Sequence, residues 1–237
     1  MRKSRQVIDS MSNCTVRGMV FDMDGVLIDS HSVHRRAWRN FLNSIGRRTT
    51  EKELDFILDG RKREEILRYL LGDLPPDQIE EYGILKDKML QEIGDEVQSI
   101  PGVIEFLEDL SEAGIRMAVA TSASRRRVES TLMALDLGRF FQTIVTGDDV
   151  DAGKPDPAIY RLASARLHEA PGNLLAVEDA VSGVKSATAA GIKCIGVANA
   201  LRSELLRAAG ADPVIPDFRG LSFEQLETKF ARDCQKP

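Results

Sequence analysis

Asp22 and Asp24, two residues apart in the run FDMDGVLIDS, are the first residues of this 237-residue chain equipped for chemistry. Further acids, hydroxyls and one notable lysine follow: Thr121-Ser122 in AVATSAS, Thr146-Gly147-Asp148-Asp149, Lys154 in Gly153-Lys154-Pro155-Asp156-Pro157, and Glu178-Asp179 in VEDAVSG. Carboxylates gathered in one place raise one another's pKa unless a cation neutralises them. Mg²⁺ suits such a cluster, being a hard ion that takes a few carboxylates, water and phosphate oxygens. A lysine held towards the acids by a proline-restricted loop could stabilise a nucleophilic carboxylate and the charge of a transferring phosphoryl group. Taken singly, Lys154 reads more readily as a solvated loop lysine. Glu178-Asp179 reads as a helix N-cap pair, a role compatible with metal ligation.

These residues converge only if the elements carrying them do. RMAVAT (116–121), QTIVT (142–146), LLAVED (174–179) and KCIGVA (193–198) are short apolar runs ending in small or acidic residues, the pattern of buried strands. Helical periodicity fills 103–113, 125–135, 157–167 and 181–190, with Gly114 and Gly191 placed as C-terminal stops. Strand–helix alternation predicts a parallel sheet with helices on both faces, and ligands in such sheets collect at the carboxyl ends of the strands. RGMVFD (17–22) is a further strand, separated from the others by a stretch with no strand-like run. That stretch has helical periodicity broken at Gly46, Gly60, Gly72 and Pro75-Pro76, and Ile100-Pro101-Gly102 marks the return. The expected organisation is a flexible tail over 1–15, an α/β core over 16–31 and 96–237, and a small all-helical cap over 32–95.

Composition narrows the class. Apolar residues make up 43% and charged residues 29%, with a formal net charge of −5, so nothing in the bulk electrostatics suits a nucleic acid. Cys14, Cys194 and Cys234 have neither zinc spacing nor a disulfide framework, which suits a reducing cytoplasm. No run approaches a membrane span, and the basic N-terminus lacks the apolar stretch of a secretory signal. A small phosphorylated molecule is the expected partner, bound by a monomer or weak homodimer.

The ordered set resembles the haloacid dehalogenase superfamily, in its β-phosphoglucomutase-like branch. Hydrophobic-Asp-x-Asp-Gly is Val20 to Gly25, the strand-closing hydroxyl is Thr121, the Lys-Pro-x-Pro lysine is Lys154, and the acidic pair is Glu178-Asp179. The resemblance implies an α/β fold, a doubly wound, Rossmann-like parallel sheet with an inserted helical cap. It implies that Asp22 attacks phosphorus to form an aspartyl-phosphate and that Asp24 serves as general acid, then base. Mg²⁺ is then held by Asp22, the Asp24 backbone carbonyl and Asp179, with Glu178 in support. Thr121 and the backbone N–H groups of Ser122 and Ala123 hold phosphate oxygens. In the cap, His34 matches a hinge-region histidine, and Arg63, in Gly60-Arg61-Lys62-Arg63, matches a loop arginine expected to bind a second substrate anion. Asp59 stands where β-phosphoglucomutases often carry lysine. Lys86 could face the site, His31 reads as a surface residue, and the run Arg125-Arg126-Arg127 as a solvated helix face from which Arg125 could reach a phosphate.

The expected activity is a Mg²⁺-dependent phosphatase acting on a small phosphorylated metabolite such as a sugar phosphate. The alternative is a β-phosphoglucomutase interconverting β-glucose 1-phosphate and glucose 6-phosphate, and a third reading is an idle binding protein on the same scaffold. A receiver-type regulatory domain is disfavoured by the insertion and by Asp24. A carbon–halogen dehalogenase is disfavoured because Asp24 supplies the acid and base that phosphate chemistry needs.

Overall fold

The computed structural model describes residues 15–93 and 97–233. Of the expected N-terminal tail only Thr15 falls among them, and Cys14 and Cys234 lie outside the described residues. β1 (Gly18–Phe21) comes first, followed after a tight loop by β2 (Ile28–Asp29). Four helices are next, α1 (His31–Ser44), α2 (Glu51–Ile57), α3 (Arg63–Leu71) and α4 (Pro76–Ile93), before β3 (Gln98–Ser99). Alternation then sets in with α5 (Val103–Glu112), β4 (Arg116–Ala120), α6 (Arg125–Ala134), β5 (Thr143–Val145) and α7 (Ala158–Leu167). It continues through β6 (Leu174–Glu178), α8 (Val181–Ala189), β7 (Lys193–Val197), α9 (Ala200–Ala209), β8 (Ala211–Ile215) and α10 (Phe223–Asp233).

Six strands form one sheet in the order β5-β4-β1-β6-β7-β8, and every pairing is parallel. β1 is therefore central, with Phe21 opposite Val119 on one side and Val177 on the other. Successive residues of a strand face opposite ways, so a strand covered on both faces must be apolar throughout. Met19 and Phe21 pack into the layer of α5, α6 and α10 with Phe106, Leu110, Val128 and Phe230. Val20 enters the opposite layer, with Tyr160 and Ala163 of α7 and Val184 and Ala187 of α8. Each such buried Leu, Val or Phe contributes roughly 1.5–3 kcal/mol from removal of apolar surface from water.

β2 and β3 pair antiparallel, Ile28 with Ser99 and Asp29 with Gln98, at the place where the chain leaves the sheet and returns to it. The four helices between them carry their own apolar cluster, in which Trp38, Phe41 and Leu42 of α1 meet Leu54, Ile57, Ile66, Leu67 and Leu70. α2 starts at a capping box, with Thr50 accepting from the Glu53 N–H and Glu53 accepting from the Thr50 N–H.

The five strands expected from the sequence are all present, each one or two residues shorter than the apolar run. β2, β3, β8, α9 and α10 were not read from it. Two-residue strands carry no period to detect. β8 contains Asp212 and Pro213 and lies at a sheet edge, where proline is tolerated. No helix among the described residues is long and apolar enough to cross a membrane.

Candidate active site

Asp22 follows the last residue of β1, and its N–H still donates to the Val177 carbonyl at 3.0 Å, so the end of the central strand fixes its backbone. Lys154 lies across from it, fully buried, not solvated. Its ammonium donates to Asp22 Oδ1 at 2.7 Å, to Glu178 Oε1 at 2.6 Å and to the Ala120 carbonyl at 3.0 Å. Burial, with Glu178 and Asp24 adding to it, pushes the Asp22 carboxyl up to about 7 despite the Lys154 charge. For Lys154 burial acts downwards, but Asp22 and Glu178 outweigh it and hold the ammonium above the ordinary lysine range.

Glu178 and Asp179 do not cap α8. Ala180 occupies that position and makes no side-chain cap. Instead Glu178 turns inward, its Oε1 accepting from the Tyr160 hydroxyl at 2.7 Å as well as from Lys154. Gly183 makes this possible, because a Cβ there would stand 2.1 Å from the Glu178 carboxyl. Asp179 faces the loop after β1, where Gly25 has φ of 76° and a Cβ would lie 2.4 Å from Asp179 Oδ2. Burial raises both carboxyls above their ordinary range.

Asp22, Glu178 and Asp179 each offer an oxygen within 4.8 Å of the others. Glu178 Oε2 is buried and has no hydrogen-bond partner, and the buried Asp179 Oδ2 meets only the His31 ring, at 3.0 Å. Buried carboxylate oxygens without donors are costly, and three hard donors around one point match a divalent cation. The residues fit such an ion. The Asp24 side chain is not part of this group; it points away, and only its backbone carbonyl is left for the ligand role expected of it.

Asp24 accepts from Ser30 Oγ at 2.6 Å and from Arg127 Nη1 at 3.0 Å on Oδ1, and from Arg127 Nη2 on Oδ2. Burial would raise its pKa, but Arg127 and then His34 overcome this and hold it well below the usual carboxylate range. His34 Nε2 lies 3.3 Å from Asp24 Oδ1, and Lys86 Nζ lies 3.5 Å from the other ring nitrogen. Burial, reinforced by Lys86, pushes His34 down to about 4, while burial and Arg127 bring Lys86 down to about 8.

Three sequence expectations need correction. The arginine run is not a solvated face, because Arg127 turns inward to Asp24. Arg125 turns the other way, bound to Asp149 at 2.6 Å in the segment after β5, and Arg126 is the exposed member. Asp148-Asp149 is likewise no part of the acid cluster, since Asp149 closes a capping box with Thr146. His31 is not a surface residue either, its Nε2 standing 3.0 Å from Asp179 Oδ2. Tyr160, Ser30 and Arg202, whose guanidinium donates to the Asp179 carbonyl at 3.2 Å, carried no signal in the sequence. Their neighbours are 18 or more residues away except for Ser30, six residues from Asp24.

A cavity of about 650 Å³ opens over these groups, bounded by Asp22, Asp24, Thr121, Ser122, Ala123 and Asp179 below and by Gly60, Arg61, Lys62, Arg63 and Lys86 above. Thr121 is buried at the end of β4, with the Ala123 N–H donating to its Oγ1 at 3.2 Å. Ser122 Oγ donates to the Gly60 carbonyl at 2.5 Å, a link to the helical insertion. Arg63 reaches the cavity wall, but its Nη1 is paired with Asp87 Oδ2 at 2.7 Å.

The haloacid dehalogenase-like hydrolase family model matches residues 19–197. The chain is 36% identical over 200 residues to the phosphorylated carbohydrates phosphatase of Thermotoga maritima, covering 83% of this chain and 92% of that protein. It is 32% identical over 241 residues to the β-phosphoglucomutase of Mycobacterium bovis, covering 87% and 91% of the two. A β-phosphoglucomutase structure from Clostridium difficile matches its fold with a TM-score of 0.84 over 94% of this chain and all of the other, at 23% identity. The chain belongs to the haloacid dehalogenase-like hydrolases, in the group similar to β-phosphoglucomutases.

Proposed function

We propose that the protein is a Mg²⁺-dependent phosphatase that hydrolyses a small phosphorylated metabolite, such as a sugar phosphate, through a phosphorylated Asp22. The observation that carries this reading is the buried cluster in which Lys154 ties Asp22 to Glu178, Glu178 Oε2 stays without a donor, and Asp179 brings a third carboxylate to the same point. The likeness to a carbohydrate phosphatase over most of both chains supports the substrate class.

Asp22, the Asp24 carbonyl and Asp179, with Glu178 in support, would hold Mg²⁺, which would neutralise charge on the phosphate oxygens. Asp22 presents its carboxylate to phosphorus from the end of β1, and the Lys154 ammonium orients it and opposes the upward pull of burial on its pKa. Thr121 Oγ1 and the N–H groups of Ser122 and Ala123 take phosphate oxygens, with the Ala123 N–H exchanging its present acceptor for the ligand. Asp24 must first leave its pair with Arg127 and take up a proton, which it gives to the leaving oxygen; it then takes one from the water that resolves the intermediate. Phosphoryl transfer needs mainly positioning and charge neutralisation, which this set provides.

A phosphate-release assay over sugar phosphates, with and without Mg²⁺ and beside Asp22→Asn, tests the proposal. Turnover should require the metal and should fall by on the order of 10³-fold or more in the variant. Turnover without metal, or an Asp22→Asn protein as active as its parent, overturns it. The likeness to a β-phosphoglucomutase favours a second reading, in which a sugar hydroxyl replaces water as acceptor. Conversion of β-glucose 1-phosphate to glucose 6-phosphate with a bisphosphate primer would select it, and phosphate release alone would reject it.

A further inference from the structure

Arg127 sits in the first turn of α6, immediately after the segment that closes β4. Its side chain is 14% exposed and forms a fork on Asp24, Nη1 to Oδ1 at 3.0 Å and Nη2 to Oδ2. Ser30 Oγ also donates to Oδ1, at 2.6 Å. Both carboxylate oxygens are therefore taken, in the two-point geometry that makes arginine–carboxylate pairs strong. An acid or base must bring an oxygen within about 2.6–3.2 Å of the group it serves. The fork has to open before Asp24 can face a leaving oxygen.

A buried guanidinium released from its partner is costly unless another anion takes it. The other two acids whose charge reaches Arg127 are Asp87 and Asp22. Both are already held, Asp87 by Arg63 at 2.7 Å and Asp22 by Lys154 at 2.7 Å. Arg127 Nη1 also stands 3.1 Å from His34 Nε2, but an imidazole nitrogen brings no negative charge; Arg127 lines the main cavity beside Asp24, so the next anion open to it is a bound ligand. Because Asp24 serves the leaving oxygen, a ligand anion next to Asp24's partner belongs to the leaving group and not to the phosphoryl group on Asp22.

We propose that Arg127 is a specificity-determining residue that keeps Asp24 in a resting pair and releases it to phosphate esters whose leaving group carries a second anion, a phosphate or a carboxylate. This rests on the role of Asp24 as acid and base proposed above. It differs from the expectation for Arg63, because the selecting cation comes from the core and is coupled to the proton-transfer group. A substrate with one anion binds but leaves the fork closed, so selection falls on kcat more than on KM.

The test is steady-state hydrolysis with Mg²⁺ of two matched pairs, glucose 1,6-bisphosphate against glucose 1-phosphate and 2-phosphoglycolate against 2-hydroxyethyl phosphate. The native chain, Arg127→Gln, Arg127→Lys and Asp24→Asn are compared, each with its thermal midpoint. The native chain should prefer the two-anion member of at least one pair by about tenfold or more, chiefly in kcat. In Arg127→Gln the preference should fall below about threefold, because kcat on the one-anion member rises while kcat on its counterpart drops. Arg127→Lys keeps the charge without the fork and should fall between the two, and it decides the matter in the same way if Arg127→Gln does not fold. Which pair shows the preference tells phosphate from carboxylate. No preference in either pair, or Arg127 variants that slow both members of each pair by the same factor, overturns the inference and leaves the phosphatase reading standing. Asp24→Asn turning over as fast as its parent would instead overturn the acid–base role beneath it.

Discussion

The Tyr160 hydroxyl and the Lys154 ammonium both occupy Glu178 Oε1, which leaves Oε2 as the oxygen free of donors. Tyr160 thereby decides which face of the carboxylate is offered to a metal ion. Tyr160→Phe keeps the ring in its apolar layer and removes only that hydrogen bond. The half-saturating Mg²⁺ concentration should rise by about tenfold, at the lower end of what partners of metal ligands carry. Calorimetric titration with Mg²⁺ checks this without turnover, and an unchanged affinity would reject the role. Gly183→Ala is a harsher test, since its Cβ would collide with the Glu178 carboxyl at 2.1 Å. It should lower stability by about 1–3 kcal/mol through overpacking and abolish metal-induced stabilisation in the same thermal melt.

At the scale of elements, Asp149 joins three of them. It accepts from the Thr146 N–H at 2.8 Å after β5, from Arg125 at 2.6 Å in α6 and from Arg166 at 2.9 Å in α7. Partial burial acts upwards, but the Thr146 N–H and the Arg166 and Arg125 charges prevail and bring its pKa down to about 2. A carboxylate depressed on folding contributes stability that is complete above its unfolded pKa, near 3.9, and is lost as pH falls towards 2. The difference in unfolding free energy between the native chain and Asp149→Leu should have a pH-dependent part of about 1–2 kcal/mol after solvent screening, present at pH 5 and gone near pH 2. Urea unfolding at the two pH values measures it. A difference that does not change with pH would show that the pairs contribute nothing beyond packing.

For the whole molecule, the helical insertion is latched onto the sheet edge by loop 59–65. Ser122 Oγ donates to the Gly60 carbonyl at 2.5 Å, Lys62 Nζ to the Val150 carbonyl at 2.8 Å, and the Gly153 N–H to Glu65 Oε1 at 3.2 Å. Ser182 Oγ donates to the Asp59 carbonyl as well. These bonds hold the loop over the cavity, above Asp22, Glu178 and Asp179, whose burial strengthens the charge interactions among them. Removing two of them in Ser182→Ala/Lys62→Met should loosen the latch by about 1–3 kcal/mol and speed amide exchange in 59–65 by on the order of tenfold or more. Exchange that stays at the native rate would show that the insertion is held by other contacts.

Asp22, Thr121 and Glu178-Asp179 were legible in the sequence because each stands at the end of an apolar run, and Lys154 because it sits in a proline-restricted loop. A parallel sheet brings all such ends to one edge, whatever the details of packing. Gly46, Gly60, Gly72 and Pro75-Pro76 marked the breaks between helices for an equally local reason, the backbone conformations those residues permit or forbid. Tertiary structure alone decided what the side chains do once assembled. Arg127 lies 103 residues from Asp24 and Tyr160 lies 18 from Glu178, so no spacing announces either partnership. Arg125, Arg126 and Arg127 are one amino acid repeated, and only the turn of α6 sends the third inward and the first to Asp149. His31 looked like a surface residue until the loop at Gly25 set it against Asp179, whereas α1 carries His34 to Asp24, the presumed acid and base near which a hinge histidine was expected. Strand ends are encoded by local apolar patterning, whereas the pairing of buried charges depends on which helix faces meet, and that is settled only when the chain closes on itself.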